Sequence, residues 1–462
     1  MTEFIKYKGF DHVWQYSGPW LYYLIGVYLC LPIIAYSVLP WFFHKRKSSQ
    51  RKMISIFVLG DLGHSPRMCY HAMTFSKLDY FVNLCGYIET EPSPEVLDDV
   101  SIDIIPIDVI KNTNDLPFAL FALYKISTQC KQIWKILWNT RGTDYIMIQN
   151  PPSIPILLVI IVFIKFFSRE TELIIDWHNL NYTILNLRYN NLNHPFVRIV
   201  KFYEHILGHF ANLNITVTKN MRKFLNTEFG LKKNRIVTLY DRPGDQFQPI
   251  TDKSEFTSKH ELFKDIDTQK YKILISSTSF TPDEDFNILL DALKEYEGIS
   301  NTPPVCLIVT GKGPLKEKFL TTVEELKFSP KVIVKTAWLS AEDYPKVLAC
   351  ADLGISLHTS SSGIDLPMKI VDFFGCGVPV ISLNFPAIDE LVKDGVNGLI
   401  TKDKSQTKES KQVCHLINEV FTDEKLLSTI KNGAMEESKL RWDENWFSVL
   451  GSKFDTKQIK GR

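Results

Sequence analysis

The chain has 462 residues, 45% of them apolar and 23% charged, a globular composition on the scale of two domains rather than one core. Its 53 Lys and Arg against 52 Asp and Glu leave a net charge of +1, which excludes the basic excess of a bulk nucleic-acid binder, so no nucleic acid is expected as a partner. The eight cysteines are scattered, with no pair spaced for zinc or redox chemistry, and reduced thiols facing the cytosol are expected.

In chain order, the first element stands out. Residues 20–43 run from Trp20 to Phe43 without a charge, roughly 36 Å of helix at about 1.5 Å per residue, enough to cross a hydrocarbon core. Trp20, Tyr22, Tyr23, Trp41, Phe42 and Phe43 mark its ends as interfacial aromatics do. The stretch is longer than the apolar region of a cleaved signal and lacks a cleavage site. Residues 44–52 carry Lys45, Arg46, Lys47, Arg51 and Lys52, whereas residues 1–19 carry only Lys6 and Lys8. By the positive-inside rule, 1–19 is a short luminal segment and the bulk of the chain is cytosolic. A second apolar run, Ile154 to Ile164, is too short to span; it reads as a core helix or as one half-sunk in the membrane.

From Met53 onward, short apolar runs alternate with longer helical stretches. Strands are predicted at 53–59, 80–86, 102–107, 145–149, 173–177, 214–218 and 236–240, then at 272–276, 305–310, 332–336, 353–357 and 378–383. Helical crossovers between such strands imply two doubly wound, Rossmann-like α/β domains, at 53–243 and 271–435, facing a cleft. A polar linker over 244–270 separates them, and 436–462 is expected to be a C-terminal helix returning toward the first domain.

Five loops could carry chemistry. Gly60 and Gly63 lie at the first strand-to-helix turn, where backbone amides, a helix N-terminus and the cation Arg67 could meet an anion; a plain turn explains the glycines equally well. Asp176, Trp177, His178 and Asn179 end a strand, where this architecture places active sites. Ser279 and Lys312 follow two strands of the second domain and offer a hydroxyl and a cation to a phosphate; the glycines around Lys312 could equally make a mere tight turn. The D-x-D of Asp283 and Asp285 reads as acids opening a helix rather than as a metal site. The densest signal is His358 to Val380. There Ser360, Ser361, Ser362 and Gly363 form a turn, and Asp365 is expected to cap a helix that places Asp365, Lys369 and Asp372 on one face. Such a stripe would suit a nucleotide, with amides for the diphosphate and a carboxylate for the ribose; the bland alternative is an exposed Asp–Lys pair.

Segments 58–72, 174–179, 239–243, 276–286, 310–315, 341–345 and 357–380, taken together and in order, resemble GT-B glycosyltransferases. Within that fold they are similar to the fungal chitobiosyldiphosphodolichol β-mannosyltransferases. The resemblance implies GDP-mannose as donor, a chitobiosyl-diphosphodolichol lipid as acceptor, and inversion at the sugar. It also implies the endoplasmic reticulum membrane as location and other mannosyltransferases of the pathway as partners. No cofactor is required beyond the donor, and the metal requirement stays open. His178 is the first choice of general base, followed by Asp61 and Asp176. Lys312, Lys369, the 360–363 turn and Arg242 would stabilise the departing nucleotide, and Arg67 would meet the acceptor diphosphate. Two departures stand out: related transferases carry E-x7-E where this chain has Asp365-x6-Asp372, and a basic pair where it has Thr278 to Asp285. Other readings are a transferase of another nucleotide sugar, a non-catalytic GT-B subunit, and an oxidoreductase, which the glycine spacing disfavours.

Overall fold

The computed structural model describes residues 20–43, 51–113, 115–281, 284–402 and 407–454. The expected luminal segment 1–19, the basic residues Lys45, Arg46 and Lys47, and Asp283 of the D-x-D lie outside them.

Two all-parallel sheets organise the chain. The first has seven strands in the order β3-β2-β1-β4-β5-β6-β7 and the second six, in the order β10-β9-β8-β11-β12-β13. The first comprises β1 (Met53–Asp61), β2 (Phe81–Tyr87), β3 (Ile102–Pro106), β4 (Tyr145–Asn150), β5 (Glu172–Trp177), β6 (Leu213–Thr216) and β7 (Ile236–Thr238). The second comprises β8 (Lys272–Ser277), β9 (Val305–Thr310), β10 (Val332–Ala337), β11 (Leu353–Ser356), β12 (Val380–Ser382) and β13 (Gly398–Ile400). Twelve of these correspond to the predicted strands. Only β13 was missed, because three residues after a turn carry no readable period.

The second sheet shows why unbroken apolar runs fold this way. Successive side chains of a strand point to opposite faces. Ile273, Ile275, Cys306 and Ile308 feed one core layer, while Leu274, Val305, Leu307 and Val309 feed the other. Both faces are covered, so no polar alternation appears in the sequence.

The chain divides into two compact units: residues 1–65, 75–148 and 152–174 in one, and residues 66–74, 149–151 and 175–462 in the other. In the first unit, helix Trp20–Phe42 is long and apolar enough to cross a membrane, and none of its residues is buried. It packs on helix Ile156–Phe167 through Tyr36 against Phe166 and Phe43 against Phe167, with ring centroids 6.0 and 5.7 Å apart. Arg169 sits 3.8 Å above the Tyr36 ring. Helix Ile156–Phe167 turns Leu157, Ile160, Ile161 and Ile164 inward and meets Trp134 of helix Phe118–Asn139 through Phe163 and Phe167, so it belongs largely to the core of this unit.

In the second unit, the segment expected to be a linker is itself packed. Asp252 caps helix Lys253–Lys259 by accepting from the amides of Ser254 and Glu255, and Phe247, Phe263 and Ile266 enter the core around β8. The helix after β11 is shorter than expected. It spans Met368–Gly375 with Pro367 at its N-cap, so Asp365 is not on it. The carboxylate of Asp365 is instead taken by the hydroxyls of Ser360 and Ser362, which hold the preceding residues in a bent turn. The three-residue polar stripe therefore reduces to Lys369 and Asp372.

Candidate active site

A buried polar cluster lies in the second unit, around the carboxyl end of β5. Asp176 is fully buried there. Helix Pro66–Lys77 brings Arg67 to it as a fork: Nε donates to Oδ2 at 2.8 Å and Nη2 to Oδ1 at 3.0 Å. Nη1 of Arg67 donates to Asp241 at 2.7 Å and to the Leu239 carbonyl at 3.1 Å. Arg67 is 2% exposed and four of its five N–H groups are engaged. This corrects the expectation that Arg67 meets an acceptor diphosphate, since its guanidinium is buried holding two carboxylates. Burial would lower its pKa, but Asp176 and Asp241 hold it above its ordinary value. For Asp176, burial is likewise outweighed by Arg67 and then by His178, so the carboxyl stays ionised well below the usual range.

Two histidines approach the same oxygen. His178, one-quarter exposed, places Nε2 3.0 Å from Asp176 Oδ2. An ionised carboxylate only accepts, so Nε2 carries a proton, and in the neutral ring the lone pair is then on Nδ1. His71, fully buried, places its Nε2 3.4 Å from the same oxygen. Next to His178, Asn179 Nδ2 donates to Ser361 Oγ at 3.2 Å. The strand end and the Ser/Gly turn are therefore in contact, as a base and a nucleotide site for one displacement need to be.

The other predicted residues fall into smaller groups. Ser360, Ser362 and Asp365 form a cluster with His358, whose Nε2 is 3.8 Å from Asp365. Gly363 has φ +73°, so the turn needs a residue without a side chain there. Lys369 donates to Glu284 at 2.6 Å, and Glu284 accepts from Thr278 at 2.6 Å as well. Burial pushes the Asp372 carboxyl well above its usual range, with the charge of Asp241 adding to the effect.

Arg242 pairs with Glu437 at 3.2 Å and lines a cavity of about 300 Å³ with Lys219, Tyr240, Asp241 and Glu390. Ser279 is exposed, and Lys312 lies 4.3 Å over the ring of the exposed Trp338 at the end of β10. The glycines beside Lys312 serve close approach: a Cβ on Gly311 would lie 1.8 Å from the Thr278 carbonyl oxygen, and one on Gly313 1.7 Å from that of Ser279.

In the first unit, Asp61 accepts from the amides of Glu89 and Thr90, both at 3.0 Å, and sits 2.6 Å from His64 Nδ1. Burial would raise its pKa, but these hydrogen bonds outweigh it and hold Asp61 low, which makes it a poor base. Gly63 packs against the same loop, where a Cβ would lie 2.7 Å from the Thr90 carbonyl; Gly60 has no such close neighbour. Among the described residues, no group of three or more acidic, His or Cys side chains is arranged to hold a metal.

Residues 258–436 match the Glycosyl transferases group 1 family. The chain is 73% identical to the chitobiosyldiphosphodolichol β-mannosyltransferase of Candida albicans, over 99% of this chain and 100% of that one. It is 35% identical to the enzyme of the same name from Homo sapiens, over 94% and 98%. The chain belongs to the chitobiosyldiphosphodolichol β-mannosyltransferase family. Among solved structures, a glycosyltransferase from Rickettsia africae superposes with a TM-score of 0.63 at 14% identity, covering 88% of this chain and 98% of that one. That likeness carries the GT-B fold. The protein is thus a glycosyltransferase of this family, as its motifs suggested.

Reasoning from sequence missed His71, Asp241 and Glu284 as members of the site. A signal existed for His71, which lies four residues after Arg67 and therefore on the same helix face. Asp241 sits within the Leu239–Pro243 motif, directly before Arg242. Nothing in the sequence pairs Glu284 with Lys369, 85 positions away.

Proposed function

We propose that this chain transfers one mannosyl residue, with inversion, from GDP-mannose to the terminal N-acetylglucosamine of chitobiosyl-diphosphodolichol, at the cytosolic face of the endoplasmic reticulum membrane. The family supports the reaction, and helix Trp20–Phe42 supports a membrane-held enzyme. The observation that carries the mechanism is the Asp176–His178 pair beside the 360–363 turn.

His178 Nδ1 takes the proton of the acceptor 4-hydroxyl as its oxygen attacks the anomeric carbon. The bond from that carbon to the phosphate oxygen breaks, and its electron pair leaves on GDP. Asp176 holds the imidazole ring in the working tautomer and stabilises the imidazolium that forms. The cations Lys312 and Lys369 stabilise the charge that develops on the diphosphate. Asp372 binds a donor hydroxyl.

The test is transfer from labelled GDP-mannose to chitobiosyl-diphospho-phytanol by the purified full-length chain. Wild type should give a β-mannosidase-sensitive lipid. His178→Ala should lower kcat about 10²-fold or more while leaving GDP binding unchanged. Full activity in that variant would remove His178 as the base. No product from folded wild type with any supplied donor would overturn the reading as a whole.

A further inference from the structure

The last described helix, Trp442–Leu450, is joined to the Arg67–Asp176 network by both of its tryptophans. Trp442 lies 5.4 Å from the Arg67 guanidinium and edge-on to His71 at 5.0 Å, and its indole N–H donates to Thr74 Oγ1 at 3.0 Å. Trp446, fully buried, donates its indole N–H to His71 Nδ1 at 3.0 Å. That bond has a chemical consequence. An indole nitrogen is a donor only, so Nδ1 must offer a lone pair and cannot carry a proton. The imidazole of His71 is then neutral with its hydrogen on Nε2, which lies 3.4 Å from Asp176 Oδ2, within ion-pair range but without the geometry of a hydrogen bond. Burial, which disfavours the cation, points the same way, although the Asp176 carboxylate opposes it.

We infer that Trp446 is a positioning residue for the transfer reaction. By fixing the tautomer of His71, it keeps an N–H rather than a lone pair directed at Asp176, and so keeps the carboxylate aligned on His178. This rests on His178 being the base. Were His71 to carry its hydrogen on Nδ1, its Nε2 lone pair would face the Asp176 carboxylate in a buried site, a repulsion relieved only by moving the carboxylate or protonating the ring. Either change alters the partner that orients His178. Trp446 touches neither substrate nor reacting atoms; its effect passes through two side chains.

The experiment uses the full-length enzyme in detergent and three variants. Trp446→Phe keeps the aromatic packing and removes the N–H; kcat should fall about tenfold or more while KM for GDP-mannose stays within about twofold. His71→Gln can present its amide N–H to Asp176 while its oxygen accepts from Trp446, so it should keep most of the rate. His71→Phe, with no donor, should lose as much as W446F alone. Labelling histidine with 15N in the wild type should show His71 as the Nε2–H tautomer, a readout that needs no variant to fold.

The inference is overturned if W446F has wild-type kcat, if H71Q and H71F are equally impaired, or if His71 is found as the Nδ1–H tautomer or doubly protonated. Loss of His178 as the base would show separately, as full activity in His178→Ala.

Discussion

Glu204 shows how a single residue couples this fold to pH. It is fully buried, accepts from Asn150 Nδ2 and the Asn181 amide at 2.9 Å and from the Tyr182 amide at 3.2 Å, and so anchors the start of helix Asn181–Tyr189 just beyond the DWHN motif. Burial pushes its carboxyl up to about 7, against the lowering effect of those three donors. In the unfolded chain the group ionises near its ordinary value of about 4.3. Between that value and about 7, the unfolded state releases the proton first and the folded state keeps it. Stability therefore falls as pH rises through this window, by about 4 kcal/mol in all, and levels off above it. Glu204→Gln removes the titration, so the stability of wild type relative to the variant should shrink between pH 4.5 and 8. Denaturant melts at both pH values check it, and a constant difference would mean that the folded enzyme already holds Glu204 ionised at low pH.

Among the elements, the turn between β9 and helix Lys316–Leu326 carries the sharpest structural expectation. Gly311 has φ +143° and would place a Cβ against the backbone of Thr278, an obstacle that cannot rotate away. Across from it, Phe280 holds φ +46° while buried, an uncommon state for a bulky residue that the surrounding contacts must impose. Gly311→Ala should therefore cost about 2 kcal/mol or more, seen as a Tm lower by several degrees, with donor affinity falling in parallel. An unchanged Tm would show that this turn can shift.

The strands were legible because parallel strands covered on both faces read as unbroken apolar runs, and the loops because this architecture gathers its chemistry at strand carboxyl ends. The start of helix Met368–Gly375 was not legible. Asp365 is a good capping residue by type, but the hydroxyls of Ser360 and Ser362 claim its side chain, a competition decided by the folded turn. Arg67 stood out as a permanent cation, but its partners are two buried carboxylates rather than a phosphate. A permanent charge announces itself in sequence, but the two carboxylates that bury it lie 109 and 174 positions further on.

For the whole molecule, helix Trp20–Phe42 and the aromatic contacts it makes in the first unit predict a separation of roles. A chain lacking residues 1–43 should leave the membrane fraction and bind GDP within about twofold of wild type. It should still glycosylate a short-chain acceptor while losing most transfer to a long-chain acceptor presented in bilayers. Parallel assays on the two acceptors check this; equal losses on both would mean that the anchor shapes the active site itself. Removal also uncovers Phe166, Phe167 and Trp138, so the truncated chain needs detergent to stay dispersed.

Trp446 is far from Arg67 in sequence, yet its indole completes the polar shell begun by Arg67. During synthesis, the buried carboxylate at the heart of the site must wait until codon 446 has been read before that supporting group is made. A ribosome that stops before codon 446 releases a product containing both sheets but lacking that support. Chains ending before Trp446 should thus lose at least as much transfer activity as W446F.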